Sequence, residues 1–136
     1  MNKITVLGAG TWGMGIALLL NNNGHKVTVW SAVSEELDML KNTKKHKNLP
    51  EVDIPDSIEY EYDIEKAVKD VDVIVMAVAS VFTRATSKKL ASFIKDGQII
   101  VNVAKGIEED TLMTLCDQIE YEIPNANVCV LSGPSH

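Results

Sequence analysis

Gly8, Gly10 and Gly13 stand at the spacing G-x-G-x-x-G near the start of the chain. Glycines do chemistry by what they let the backbone reach. Gly8 can take the angles of a tight turn. Gly10 leaves the main chain bare, so a pyrophosphate can approach it, and Gly13 lets a helix lie close on the preceding strand. The first amides of that helix would lack intrahelical partners, and the helix dipole favours negative charge there. A dinucleotide cofactor is the ligand this arrangement suits. Lys105 is the other residue with chemical reach. A cation directly after a buried strand could neutralise a substrate phosphate or donate to a carbonyl oxygen, and Gly106 beside it allows close backbone approach. Ser132-Gly133-Pro134-Ser135 offers hydroxyls and free amides, which suit a small phosphorylated or polyhydroxylated substrate.

These residues need a scaffold that brings them to one edge. Ile4 to Leu7 is an apolar, β-branched run that ends in the glycines, and Ile16 to Leu20 continues as a helix stopped at Asn23-Gly24. Lys26–Trp30 reads as the second strand, with His25 in the turn before it. Ser34 is placed as N-cap of a helix from Glu35 to Asn42. Thr43 to Pro50 is a basic loop, either solvated or a cationic lip facing cofactor or substrate phosphates. Ile58–Tyr62 alternates as a third strand, and Asp63 can cap a short helix from Ile64 to Lys69. Val71–Val78 is nearly all apolar, as a parallel strand buried on both faces would be. A helix from Val81 to Ile94, with Leu90, Phe93 and Ile94 inward, precedes a fifth strand at Gln98–Val103. A helix from Thr111 to Ile123 and a sixth strand at Val128–Leu131 complete the alternation.

Strand and helix alternate throughout, so the fold class is α/β. The expected architecture is one Rossmann-type domain over residues 1–136, a doubly wound parallel sheet with strand order 3-2-1-4-5-6 and helices on both faces. Ligands of such sheets bind outside the carboxyl ends of the strands. Those ends are Gly8 to Gly13, Ser31, Ser80, Lys105-Gly106 and Ser132 to Ser135. Ser31 matters for cofactor type. A strand-end acid would hold the ribose hydroxyls of NAD, and a nearby Arg the 2′-phosphate of NADP. Ser31-Ala32-Val33 has neither, and Glu35 and Glu36 come too late, so the balance tips toward NADP or tolerance of both.

The bulk composition excludes other classes. A formal charge of −6 argues against nucleic acid or an anionic membrane as main partner. No apolar run approaches the ~20 residues of a membrane span, and the chain starts without a signal-peptide pattern. Cys116 and Cys129 read as reduced and mostly buried, no Cys/His spacing suggests a metal site, and the cytoplasm is the expected location.

The segments G-A-G-T-W-G-M-G at Gly8–Gly15, N-x-x-K-H-K-N-L-P in the basic loop, K-G-I-E at Lys105–Glu108 and L-S-G-P-S-H at Leu131–His136 together resemble bacterial NAD(P)-dependent glycerol-3-phosphate dehydrogenase. The likeness covers essentially all 136 residues, and its most specific motif is the S-G-P-S segment. It departs at Ala79-Ser80, where the family usually has proline before the hydroxyl residue. The resemblance implies that Thr11 and Trp12 contact the cofactor, that Lys105 touches cofactor and substrate, and that Gly133 and Ser135 bind glycerol 3-phosphate. It implies reversible NAD(P)H-dependent reduction of dihydroxyacetone phosphate, feeding glycerophospholipid synthesis, with a homodimer as the candidate assembly of the intact enzyme. It also implies a second, helical domain carrying the proton-transferring lysine. That lysine would lie beyond these 136 residues, leaving Lys105 a supporting role and the isolated chain without turnover. Two rival readings stay open: another two-domain dehydrogenase, of the 3-hydroxyacyl-CoA or 6-phosphogluconate type, and a non-catalytic dinucleotide sensor.

Overall fold

The structure, a computed structural model, describes residues 1–104 and 113–131. Its centre is β1 (Lys3–Leu7), whose side chains are buried from Ile4 onward. β2 (Lys26–Trp30) and β4 (Val73–Met76) pair with β1 in parallel on either side, with Val6 opposite Val29 and Val75. β3 (Glu59–Glu61), β5 (Ile99–Asn102) and β6 (Asn127–Val130) extend the sheet to the order β3-β2-β1-β4-β5-β6. That is the doubly wound order expected, with its switch point between β1 and β4. Every crossover is long enough to hold a helix, as parallel pairing requires.

Alternation along the strands sends side chains to two cores. Ile4, Val6, Val27, Val29 and Val75 pack against Met14 and Ala17 of α1 (Thr11–Asn22) and Leu37 and Leu40 of α2 (Ser34–Thr43). Leu7, Ile74, Met76 and Ile100 face the other way. They meet Ala67 and Val68 of α3 (Ile64–Val68), Leu90 of α4 (Thr83–Leu90) and Ile119 of α5 (Leu115–Glu122). The buried Thr5 hydroxyl donates to the Ala67 carbonyl, so the one polar side chain of β1's interior is satisfied. Among the described residues no helix is long and apolar enough to cross a membrane.

Several boundaries differ from the sequence expectation. Only Glu59–Glu61 pairs in β3, opposite Thr28 to Trp30, while Ile58 is buried in the core before the ladder begins and Tyr62 lies past the end of β2. The expected helix Val81–Ile94 is a 3₁₀ turn at Ser80–Phe82, then α4, then a second 3₁₀ turn at Ala91–Phe93. Its inward face is Thr83, Thr86, Ser87 and Leu90, and Phe93 stays exposed. On that face Ser87 satisfies its hydroxyl on the Thr83 carbonyl at 2.8 Å, whereas the buried Thr83 hydroxyl has no hydrogen-bond partner among the described residues. α5 starts at Leu115, where Thr114 and Asp117 form a reciprocal capping box. Asp63 caps α3 as expected, through the Glu65 amide. Cys116 is half-buried and Cys129 is exposed on the edge strand β6, which corrects the expectation of two mostly buried thiols; both are free.

The seat of α1 on β1 depends on two glycines. A Cβ on Gly13 would lie 2.2 Å from the Gly8 carbonyl oxygen, and one on Gly8 would lie 2.5 Å from the Ala77 carbonyl oxygen. Gly8 also has φ +120°. Gly15, two residues further along α1, faces open space. Gly13→Ala should therefore destabilise the fold by ~1–3 kcal/mol through overpacking against backbone. Gly15→Ala should stabilise it by ~0.5–1 kcal/mol through helix propensity. Chemical denaturation of the two variants checks the opposite signs; equal effects would mean that α1 is not seated this closely.

Candidate functional site

The carboxyl ends of β1, β2 and β4 open onto one crevice of about 510 Å³, within the range of ligand pockets. Gly8, Gly10, Thr11, Trp12, Gly13 and Ser31 all line it. The six cofactor-side residues expected from sequence up to the second strand are thus brought together. Lys105, Gly133 and Ser135, like Gly106 and Ser132, lie outside the described residues.

The glycine turn leaves Gly10 extended at the N-cap, with no side chain capping the helix and no acid in its first turn. Met14 makes the first intrahelical bond, to the Gly10 carbonyl at 2.9 Å. The amides of Thr11, Trp12 and Gly13 are left with the orphan donors that every helix start has. Nothing lies within 4 Å of where a Gly10 Cβ would stand. That combination of unpaired donors, positive dipole end and bare backbone fits a pyrophosphate. Among the described lining residues there is no Lys or Arg, so an anion there would be held by backbone amides.

Val33, Val78 and Phe82 add apolar surface to the lining, which suits a flat heteroaromatic ring. Ala79 has φ −55° and ψ 141°, angles a proline ring would also accept, so the missing family proline does not alter this turn. Trp12 lines the crevice as well. Its indole Nε1 donates to the Val103 carbonyl at 3.1 Å, tying the start of α1 to the end of β5. Near that end, burial foremost pushes the Cys116 thiol above its usual range, which keeps it from acting as a thiolate nucleophile at neutral pH.

Two features escaped the sequence reading. Ser34 does not cap α2; Val33 occupies the N-cap and Ser34 is the first helical residue. The turn is held instead by Ser31, whose hydroxyl oxygen accepts the Val33 amide at 3.0 Å and whose proton goes to Glu36 Oε1 at 2.5 Å. Glu36 is thus folded back to the strand end and lines the crevice. It is not too late in the chain, and the tilt toward NADP loses its premise of a strand end without a carboxylate. The second feature is the basic loop. Lys44 pairs with Asp56 at 3.3 Å and Lys45 with Asp53 at 2.6 Å, so these charges are neutralised from within the next segment. His46 is buried, and its Nε2 lies 3.1 Å from the Ala9 carbonyl. Its Nδ1 accepts the Asn48 amide, so Nε2 carries the proton and donates. The Asn48 side chain donates to the Thr11 hydroxyl at 2.9 Å. The loop is a strap over the glycine turn. Alternating Lys-His-Lys-Asn beside two later aspartates was the signal available for it.

His46→Ala should strip the Ala9 carbonyl of its donor and leave a void, costing ~1–3 kcal/mol. Asn48→Ala should cost less, ~0.5–1.5 kcal/mol, since Thr11 is exposed to water. Urea unfolding measures both. A His46 variant as stable as its parent would show that the strap does not hold the turn.

Comparison with known proteins agrees with this geometry. Residues 3–136 match the family described as NAD-dependent glycerol-3-phosphate dehydrogenase N-terminus. The chain is 54% identical over 137 aligned residues to "Glycerol-3-phosphate dehydrogenase [NAD(P)+]" of Agathobacter rectalis, covering all of this chain and 41% of that protein. It is 52% identical to a protein of the same name, numbered 2, of Lactobacillus delbrueckii subsp. bulgaricus, covering all of this chain and 42% of that one. The crystal structure of glycerol-3-phosphate dehydrogenase from Coxiella burnetii superposes with a TM-score of 0.90 at 26% identity, over 99% of this chain and 42% of that one. The chain therefore spans about two fifths of the length of the relatives it matches. On the strength of the family match over residues 3–136, the chain belongs to the NAD-dependent glycerol-3-phosphate dehydrogenase family, in its N-terminal part.

Proposed function

We propose that the chain is the dinucleotide-binding domain of an enzyme that reversibly reduces dihydroxyacetone phosphate to sn-glycerol 3-phosphate with NADH or NADPH. The observation that carries this reading is the convergence of Gly8, Gly10, Thr11, Trp12, Gly13 and Ser31 on one crevice at the switch point of the sheet. The names of the relatives supply the substrate pair. When bound, the cofactor would supply the hydride chemistry. The chain's own residues supply position. The amides at the start of α1 would hold the pyrophosphate, the glycine turn would admit it, and Val33, Val78 and Phe82 would sandwich the adenine. Trp12 would keep the end of β5 against the crevice.

The remaining roles follow from the family resemblance. Lys105 would touch cofactor and substrate and stabilise charge developing on the reacting oxygen. Gly133 and Ser135 would hold the substrate phosphate. The proton would be transferred by a lysine of a second, helical domain, which the 136 residues do not include. The same resemblance supports a cytoplasmic homodimer that feeds glycerophospholipid synthesis.

Two measurements test the reading. The 136-residue chain should bind NADH or NADPH, by fluorescence titration, yet show no turnover with dihydroxyacetone phosphate. In the full-length protein, Lys105→Ala should lower kcat by ~100-fold or more, the scale seen when one electrostatic donor is removed from an active site. Oxidation of the cofactor by the chain alone at the rate of the full-length protein, or unchanged activity of the Lys105 variant, would refute the assignment.

A further inference from the structure

We propose that Glu36, its carboxylate held by the Ser31 hydroxyl, selects a dinucleotide with a free ribose 2′-hydroxyl over one carrying a 2′-phosphate. The inference rests on reading the crevice as a dinucleotide site and goes beyond it to which dinucleotide the site takes.

The polarity of the Ser31 hydrogen bonds is forced. Its oxygen accepts the Val33 amide, and a carboxylate has no proton to give, so the hydroxyl proton points at Glu36 Oε1. This fixes one carboxylate oxygen next to the last residue of β2. Among the described residues no hydrogen bond is made to the other oxygen, Oε2, which stays able to accept from a ligand. Glu36 also lines the neighbouring hollow formed with Ala9, Met39, His46 and Lys47, so its head stands between the glycine turn and the strap. In sheets of this kind the ribose of the adenosine half comes to the end of the second strand, where a carboxylate accepts its hydroxyls.

A 2′-phosphate would meet the opposite conditions. It carries roughly −1.5 to −2 charges near neutrality, and the crevice lining holds no Lys or Arg among the described residues. Cations do approach from the strap. Lys45, however, is engaged by Asp53 and donates to the Pro50 carbonyl. His46 spends Nε2 on Ala9 and Nδ1 on Asn48. Lys47 is exposed in the hollow and has no ion pair among the described residues, so it is the one group that could favour a phosphate there. Against it stand two carboxylates of the same hollow, Glu35 and Glu36.

The test is equilibrium binding of ADP-ribose and its 2′-phosphate to the full-length protein by calorimetry, which needs no turnover. The parent should bind ADP-ribose at least tenfold more tightly. Glu36→Gln should cut that ratio about tenfold, equivalent to ~1.4 kcal/mol. Ser31→Ala keeps the charge but frees it, and should move the ratio the same way by a smaller factor. Tighter binding of the 2′-phosphate, abolished in Lys47→Ala, would overturn the proposal and give the site to the strap. An unchanged ratio in the Glu36 variant would overturn it too, while leaving the dinucleotide reading intact. Failure of both ligands to bind would bring down both.

Discussion

The structure depends on the contact between the first helix and the first strand at Gly13 and Gly8. With a Cβ-to-oxygen separation of only 2.2 Å in prospect, no other residue fits at Gly13 without moving the helix. That closeness aims the unpaired amides of α1 at the space above the strand ends. Gly8 in turn nests against the Ala77 carbonyl, so the turn after β4 is part of the same packing unit. The amide of Gly8 donates to the Trp30 carbonyl at 2.7 Å, and that of Ala77 to Leu7 at 2.8 Å. The ends of β1, β2 and β4 are locked to one another by main-chain bonds before any side chain contributes.

Distant segments are then pinned to this unit. Trp12 holds the end of β5, His46 holds the Ala9 carbonyl, and Asn48 holds the Thr11 hydroxyl. Each bond uses a polar atom of the turn or of the first helical residues, and each leaves the backbone amides at the start of α1 free. The strap therefore closes the turn without using up those amides. The division also explains the charges. In a chain of net charge −6 two cations of the strap, Lys44 and Lys45, are balanced locally by Asp56 and Asp53, and the helix start attracts anions through its amides. Exposed pairs such as these contribute ~0–1 kcal/mol to stability. They chiefly stop Lys44 and Lys45 from acting as a free positive patch.

The sheet was legible because its signals are periodic and redundant. Ile4 to Leu7 and Val73 to Met76 can only be interior strands, and the glycine fingerprint after β1 fixes which strand is central. The misread boundaries lie where local geometry outweighs a pattern. Thr114 with Asp117 starts α5 later than its apolar residues suggest. α4 turns a hydroxyl face inward, with Ser87 bonded to the Thr83 carbonyl, and Phe93 lies beyond it in a 3₁₀ turn, exposed. In β3 the chain joins the sheet late: Ile58 is buried in the core, and pairing with β2 begins only at Glu59.

The site was legible to the extent that it is made of backbone. A glycine at a fixed spacing states a main-chain requirement, and the main chain follows the sequence directly. Glu36 and His46 obey a different logic. On a helical wheel Glu36 belongs to the exposed face of α2, and its return to the strand end needs Ser31 to spend its oxygen on Val33 and its proton on the carboxylate. His46 lies in a run of lysines, and its burial follows from having a carbonyl on one side and an amide on the other. In both cases a group two to five positions away, the Ser31 hydroxyl or the Asn48 main-chain amide, converts a solvent-facing side chain into part of the site. Such pairs carry no period, so they emerge only when the turn geometry between them is known.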